Sequence, residues 1–205
     1  TREFEQMEIE YFIPVPKSEK EWQGHFEGWQ KEMWDWMTDV LGLDKKHIHE
    51  LEVPDGERAH YSKRTIDFEF DFPFGRKELY GLAYRTDYDL TQHANASGVD
   101  LSYLDEETKT KFVPHVIEPS LGVGRTMLAV LLSAYTEDEL GGEARTYLKL
   151  KPAIAPVKAA VFPLLKNKPE LVAKARGVYT MLKRELSPST SLGANAIAFD
   201  DNGNI

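Results

Sequence analysis

Between Ile66 and Phe72 every second residue is large and apolar (Ile66, Phe68, Phe70, Phe72), and the residues between them are Asp67, Glu69 and Asp71. Side chains on a strand leave alternate faces, so one face of this run is to be buried and the other left wet. The same alternation occurs near the start, with Met7, Ile9 and Tyr11 on one side and Gln6, Glu8 and Glu10 on the other, until Pro14 and Pro16 close the run. Phe74-Gly75-Arg76 reads as a turn into a further strand from Glu78 to Tyr84. The simplest arrangement is an antiparallel sheet with helices on one face and solvent on the other.

The covering helices are legible too. Ser18 and Glu21 form a capping-box pattern, after which Trp22, Phe26, Trp29, Met33, Met37 and Val40 recur at helical spacing. Residues 112–117 read as a strand, and 125–135 are apolar nearly all round, the pattern of a buried helix. The polar stretch 95–111 reads as a loop or small insertion. An acidic, glycine-containing stretch, residues 136–143, reads as a domain junction. Beyond it, 147–150 and 159–165 read as strands. Pro169 opens a helix with Leu171, Ala175, Val178, Tyr179, Leu182 and Leu186 on one face, Ser187–Ser191 is a loop, and 196–199 is another strand. This second part is a small α/β unit with a parallel or mixed sheet. The fold class expected is α+β in two domains, residues 1–142 and 143–205.

Composition excludes several classes. The 205 residues are 41% hydrophobic and 29% charged, ordinary for a globular chain. No apolar run approaches the roughly 18 to 20 residues that cross a bilayer, and the first residues carry no secretory signal pattern. The absence of cysteine removes disulfide and thiolate chemistry and fits a reducing compartment. A net charge of −9 argues against a protein that coats nucleic acid by general electrostatics. A chain that opens inside a strand-like run and stops after the turn signal Asp201-Asn202-Gly203 is expected to be an excerpt of a longer protein.

The densest chemistry lies in residues 114–125. A β-rich run ends in Glu118, Pro119 and Ser120; Gly122 and Gly124 follow, then Arg125 in the first turn of the apolar helix. Carboxylates at 8 and 118 on one sheet face repel unless a cation lies between them, and a ligand ammonium would serve. Each acid alone would equally serve as a solvated strand-face residue. Glycines before a helix N-terminus that carries an arginine suit phosphate, although the same residues also serve close packing. The pattern is neither a Walker A loop nor the dinucleotide fingerprint. Arg85, at the end of the Glu78–Tyr84 strand, points to the wet face, with Thr86 or Asp87 as helix cap. His47 and His49 lack a third ligand for zinc, and no Ser/His/Asp arrangement is present.

Taken together these segments resemble the glycyl-tRNA synthetase family of class II aminoacyl-tRNA synthetases. Residues 2–12 look like the second half of motif 2. Residues 79–90, with Gly81, Arg85, Thr86 and Asp87, are similar to a family strand-and-loop signature, and residues 116–125 look like motif 3. Residues 148–164 and 200–205 resemble parts of its anticodon-binding domain. The resemblance implies ATP-dependent activation of glycine to glycyl-adenylate, transfer to tRNA(Gly), a cytoplasmic homodimer on a six- to seven-stranded antiparallel sheet, and neither DNA nor a membrane as partner. It implies that 1–142 is the later part of the catalytic domain and 143–205 the start of the anticodon-binding domain.

By the same resemblance Glu8, Glu118 and Ser120 hold the glycine ammonium. Phe4, Glu5, Gln6 and Met7 floor the amino-acid pocket, and Pro119, Leu121 and Gly122 border it. Thr1, Arg2, Glu3 and Phe4 face ATP, as do Leu79 and Tyr80, with Gly122, Val123, Gly124 and Arg125 at its phosphates. Arg85 and Arg125 are the catalytic cations, Mg²⁺ accompanies ATP, and no resident metal is implied. Motif 1 and the first half of motif 2 are not in the chain, so the chain by itself is not expected to aminoacylate. A catalytically inactive synthetase-like accessory or nucleic-acid-binding protein is the alternative, and a generic nucleotide-binding α/β protein a third.

Overall fold

The computed structural model describes residues 4–186 and 196–200; Thr1, Arg2, Glu3, the loop expected at Ser187–Ser191 and residues 201–205 lie outside the described residues. The chain divides into two compact units, residues 1–150 and 151–205.

The first unit runs β1 (Gln6–Glu8), β2 (Tyr11–Ile13), α1 (Glu19–Asp35), β3 (Ile48–Glu52), β4 (Arg64–Phe72), β5 (Gly75–Thr86) and α2 (Tyr88–Ser97). It continues with β6 (Tyr103–Leu104), β7 (Lys111–Phe112), β8 (His115–Gly122), α3 (Val123–Ala134), β9 (Tyr135–Leu140) and β10 (Glu143–Leu148). Six strands form one sheet in the order β1-β8-β5-β4-β3, with β2 also on β8, and every pair is antiparallel.

One face is covered. Ile66 and Phe68 of β4 pair with Leu82 and Tyr80 of β5, Tyr80 and Tyr84 pair with Leu121 and Ile117 of β8, and all of these are buried, as is Phe70. Helix α1 lies on this face because its apolar residues recur every three to four positions: Trp22 stacks on Tyr84 at 4.4 Å and Trp34 meets Phe68 edge-on at 6.1 Å. The expected capping box does not form, because Glu21 reaches one residue past the Ser18 cap. The Ser18 side chain caps nothing, while Glu21 accepts the Lys17 backbone N–H at 2.7 Å. Helix α3 joins the same layer through Tyr80 Oη and Thr126 Oγ1, 2.8 Å apart.

Several expectations need correction. The run from Gln6 to Tyr11 is not one strand. Its register on β8 continues from Glu8↔Ser120 to Tyr11↔Ile117, but it breaks at Ile9 and Glu10. There the Ile9 N–H donates to the Pro119 carbonyl at 3.0 Å, and Pro119 has no N–H to return. Helix α3 is not buried all round: Ala129 and Ala134 are buried, whereas Met127, Leu128 and Leu131 are exposed. The acidic stretch taken for a junction is a hairpin, β9–β10, turned by Gly141 and Gly142, both with positive φ (65° and 88°). The expected boundary after Gly142 therefore falls inside a hairpin, and the compact units part after residue 150. Residues 95–111 include the end of α2 and most of a small β6–β7 hairpin, and β3 has no counterpart among the expected strands.

The second unit holds β11 (Ala159–Val161), α4 (Pro169–Leu186) and β12 (Ile197–Phe199), the two strands parallel. A parallel pair needs a long crossover, which α4 supplies. Ala175 is buried, and Tyr179 lies 5.5 Å from the Phe199 ring. The strand expected at 147–150 is the end of β10, and the one expected at 159–165 stops at Val161. Among the described residues no helix is long and apolar enough to cross a membrane.

Candidate functional site

The open face of the sheet carries the polar half of each alternation. Register sets two rows across it: Asp67, Gly81, Ser120 and Glu8 in one, Thr65, Ala83 and Glu118 in the next. These residues line a cavity of about 340 Å³, together with Arg85 and with Arg58 and Tyr61 from the segment between β3 and β4. A second cavity, about 630 Å³, is lined by Phe4, Glu5, Leu79, Gly122, Gly124 and Arg125 among others. Gln6 and Ser120 belong to both, and the Gln6 side-chain amide donates to the Ser120 hydroxyl.

Charge in the first cavity is unbalanced. Glu8, Glu57, Asp67 and Glu118 face it against two guanidiniums, both already engaged. Arg58 donates to Asp55 and to the Lys63 carbonyl. Arg85 donates to Glu118 and, at 2.7 Å, to Asp89, and lies 4.0 Å over the Tyr61 ring. Burial pushes the Glu118 carboxyl above its ordinary range, Arg85 opposes this, and Glu8 and Asp89 add to it. Burial likewise raises Glu10, with Glu118 adding to it. Burial weakens the Arg85 charge less than the bonds to Asp89 and Glu118 strengthen it, so its pKa is raised. Asp67 is pushed up to about 6, first by burial and then by Glu78 and Glu69.

That last shift has a stability consequence. A carboxyl whose pKa is higher folded than unfolded favours the fold while protonated, and that contribution is lost as pH rises from about 4 through about 6. Asp67→Asn is expected to stabilise the first unit by about 1–2 kcal/mol at pH 7.5, after discounting for partial exposure. Urea unfolding at pH 7.5 and 4.5 checks it. The gain should shrink at the lower pH.

The second cavity sits at the N-terminus of α3, a place that favours anions. Gly122 precedes its first turn and Val123 N–H donates to the Glu5 carbonyl at 3.0 Å. A Cβ at Gly124 would meet nothing within 4 Å, so the backbone there is open to a ligand. Arg125 donates to the Glu78 carbonyl at 3.0 Å and pairs with the Glu78 carboxylate at 3.3 Å while staying half exposed.

The structure thus brings Glu8, Glu118, Ser120 and Arg85 to one cavity, and Phe4, Glu5, Leu79, Gly122, Gly124 and Arg125 to its neighbour. Pro119, Leu121 and Tyr80 are buried on the covered face, and Met7 shares that phase of the register but is exposed on the edge strand β1; none of the four lines either cavity. Thr1, Arg2 and Glu3 lie outside the described residues. His47 and His49 both approach Asp71, at 3.6 and 2.8 Å, and among the described residues no group of three acids or histidines could hold a metal. Sequence reasoning missed Asp67, Arg58, Tyr61 and Asp89. For Asp67 the signal was present, since it occupies the polar phase of the alternation that defines β4.

No protein-family model matches the chain. Among curated proteins it is 48% identical, over 213 aligned positions and its entire length, to the glycine–tRNA ligase of Streptomyces coelicolor, of which it covers 43%. It is 51% identical over 90% of its length to the glycine–tRNA ligase of Clostridium tetani, covering 38% of that protein, and 46% identical over its entire length to that of Thermobifida fusca, covering 43%. The chain spans about two-fifths of the length of these relatives.

Proposed function

We propose that this chain, related to glycine–tRNA ligases along its whole length, is the part of such an enzyme that binds glycine beside ATP. The observation that carries the reading is the pair of cavities meeting at Gln6 and Ser120, one rich in carboxylates and the other holding Arg125 at a helix N-terminus. An ammonium group satisfies Glu8, Glu118 and the Ser120 hydroxyl. The same crowding leaves little space for a side chain on the α-carbon, so size selects as well as charge. The glycine carboxylate then attacks the α-phosphorus of ATP, forming the acyl–phosphate bond of glycyl-adenylate as the bond to pyrophosphate breaks. No general base is required, because the nucleophile is already ionised. Positioning and charge stabilisation carry the step.

Arg85 shares Glu118 with the entering ammonium while Asp89 keeps its guanidinium in place. Arg125 leaves Glu78 for the terminal phosphates. Mg²⁺ would arrive with the nucleotide and neutralise phosphate charge, an ion that protein cages seldom hold by themselves. Transfer of the glycyl group to tRNA(Gly), a class II catalytic fold, a homodimer, an anticodon-binding role for the unit after residue 150 and a cytoplasmic site of action belong to the same reading.

Thermal unfolding tests it. Glycine and ATP together are expected to raise Tm, since ligands held only by the folded form stabilise it by about 2.7 kcal/mol at a hundred times Kd. Glu118→Gln should lose the response to glycine, and Arg125→Ala the response to ATP while keeping that to glycine. A response to ATP that glycine and Glu118→Gln leave untouched would overturn the reading in favour of a nucleotide-binding accessory protein.

A further inference from the structure

Asp67 has no part in the reaction outlined above, yet it ends the row that contains Ser120 and Glu8. On β4 it is directly opposite Gly81, Gly81 is directly opposite Ser120 on β8, and Ser120 is opposite Glu8 on β1. Neighbouring strands lie about 4.8 Å apart, so the Asp67 and Ser120 backbones are roughly 10 Å apart with a residue between them that has no side chain. A Cβ built on Gly81 would meet the Asp67 carboxylate oxygen Oδ1 at 4.0 Å. The carboxyl therefore leans over the glycine toward the floor of the acid-lined cavity.

Some acids around the cavity already have cationic partners, whereas among the described residues Glu8, Glu57 and Asp67, which line it, do not. Glu118 takes Arg85, Asp89 takes Arg85, and Asp71 takes His49 and Arg76. Among the described residues the Asp67 carboxyl has no bonded cation or donor of this kind; what its surroundings supply is burial and the repulsion of Glu78 and Glu69. A half-buried acid without a counter-charge weakens a fold. A ligand cation seated over Gly81 removes that cost, and an ammonium group has three N–H donors to distribute.

Resting on the reading of this cavity as an ammonium site, we propose that Asp67 is a specificity-determining residue, accepting an N–H of the substrate's ammonium group across Gly81 from the side opposite Ser120 and Glu8. Gly81 is then the floor on which the ammonium sits. A side chain there would fill the space.

The test is an NMR titration of the 205-residue chain with glycine, with methylamine and acetate as probes of the ammonium and carboxylate halves. Asp67→Asn is expected to weaken glycine and methylamine about tenfold or more, the scale of one charge-assisted hydrogen bond, and to leave ATP binding as it was. Its Tm without ligand should rise, the reverse of what loss of a structural acid gives. Gly81→Ala should block glycine with the fold intact, because its new methyl group meets only an ordinary 4.0 Å contact. Unchanged glycine affinity in Asp67→Asn, with Glu118→Gln abolishing it, would overturn this proposal alone. Failure of the unsubstituted chain to bind glycine would overturn the site reading and this proposal with it.

Discussion

Phe68→Ala is expected to lower the unfolding free energy of the first unit by about 3–5 kcal/mol, the range for truncating a fully buried aromatic residue. Phe68 has no exposed surface and sits in β4, with β3 on one side and β5 on the other. Tyr80 faces it from β5, and the Trp34 ring lies edge-on above it. The cavity left behind cannot collapse, because its floor is a hydrogen-bonded ladder and its roof a helix pinned by Trp22 on Tyr84. A domain with the usual 5–15 kcal/mol of stability would lose a large part of it. Urea unfolding followed by far-UV circular dichroism measures the effect, and an unchanged m-value shows that the folded state is otherwise the same. A loss below about 1 kcal/mol would mean that α1 does not pack on the sheet as described.

The second large effect concerns Arg85. Arg85→Met keeps much of the side chain's length and apolar stem but removes the cation from Glu118 and Asp89. The paired groups are only 18% and 9% exposed at Arg85 and Glu118. Breaking a buried pair from one side costs about 3–5 kcal/mol, and partial exposure brings the expectation here to about 2–4 kcal/mol at neutral pH. The sign with pH follows from Glu118, whose carboxyl is already raised by burial and held back by Arg85. Without the guanidinium it rises further, so its contribution to stability is present at low pH and lost as pH climbs through the raised value. The variant's deficit should therefore shrink on acidification toward the range where Glu118 protonates. Adding Glu118→Gln should return much of the loss, and the double-mutant cycle gives the coupling. An additive cycle would place the two groups out of contact.

How much of this could be read from the sequence depends on which forces act locally. The Ile66–Phe72 alternation and the Trp22–Met37 spacing are periodicities fixed by backbone geometry, and both elements stand where those patterns put them. Residues 118–125 were legible because strand end, glycines and helix start are contiguous. The break at Ile9 was not, since its cause is a missing N–H on Pro119, over a hundred residues away. The β9–β10 hairpin was hidden because β9 is acidic and both strands are exposed, so no apolar alternation marks them. The run 125–135 is apolar on every side, which suggests complete burial, yet Met127 and Leu131 are uncovered in this chain. The contribution of Asp67 depends on a strand pairing that places Gly81 between it and Ser120, and register across three strands is not a local property.

The amide–hydroxyl pair of Gln6 and Ser120 is a partition only one contact thick, common to two compartments, one lined by four carboxylates and the other bordered by a helix N-terminus and Arg125. Two small molecules lodged on either side of it would meet end to end without diffusing, and their encounter would carry the effective molarity of an intramolecular reaction, on the order of 10⁵ M or more when aligned. Because the Ser120 oxygen has two lone pairs and one O–H, it can keep the Gln6 amide while it bonds a guest, so the partition need not open for either side to fill.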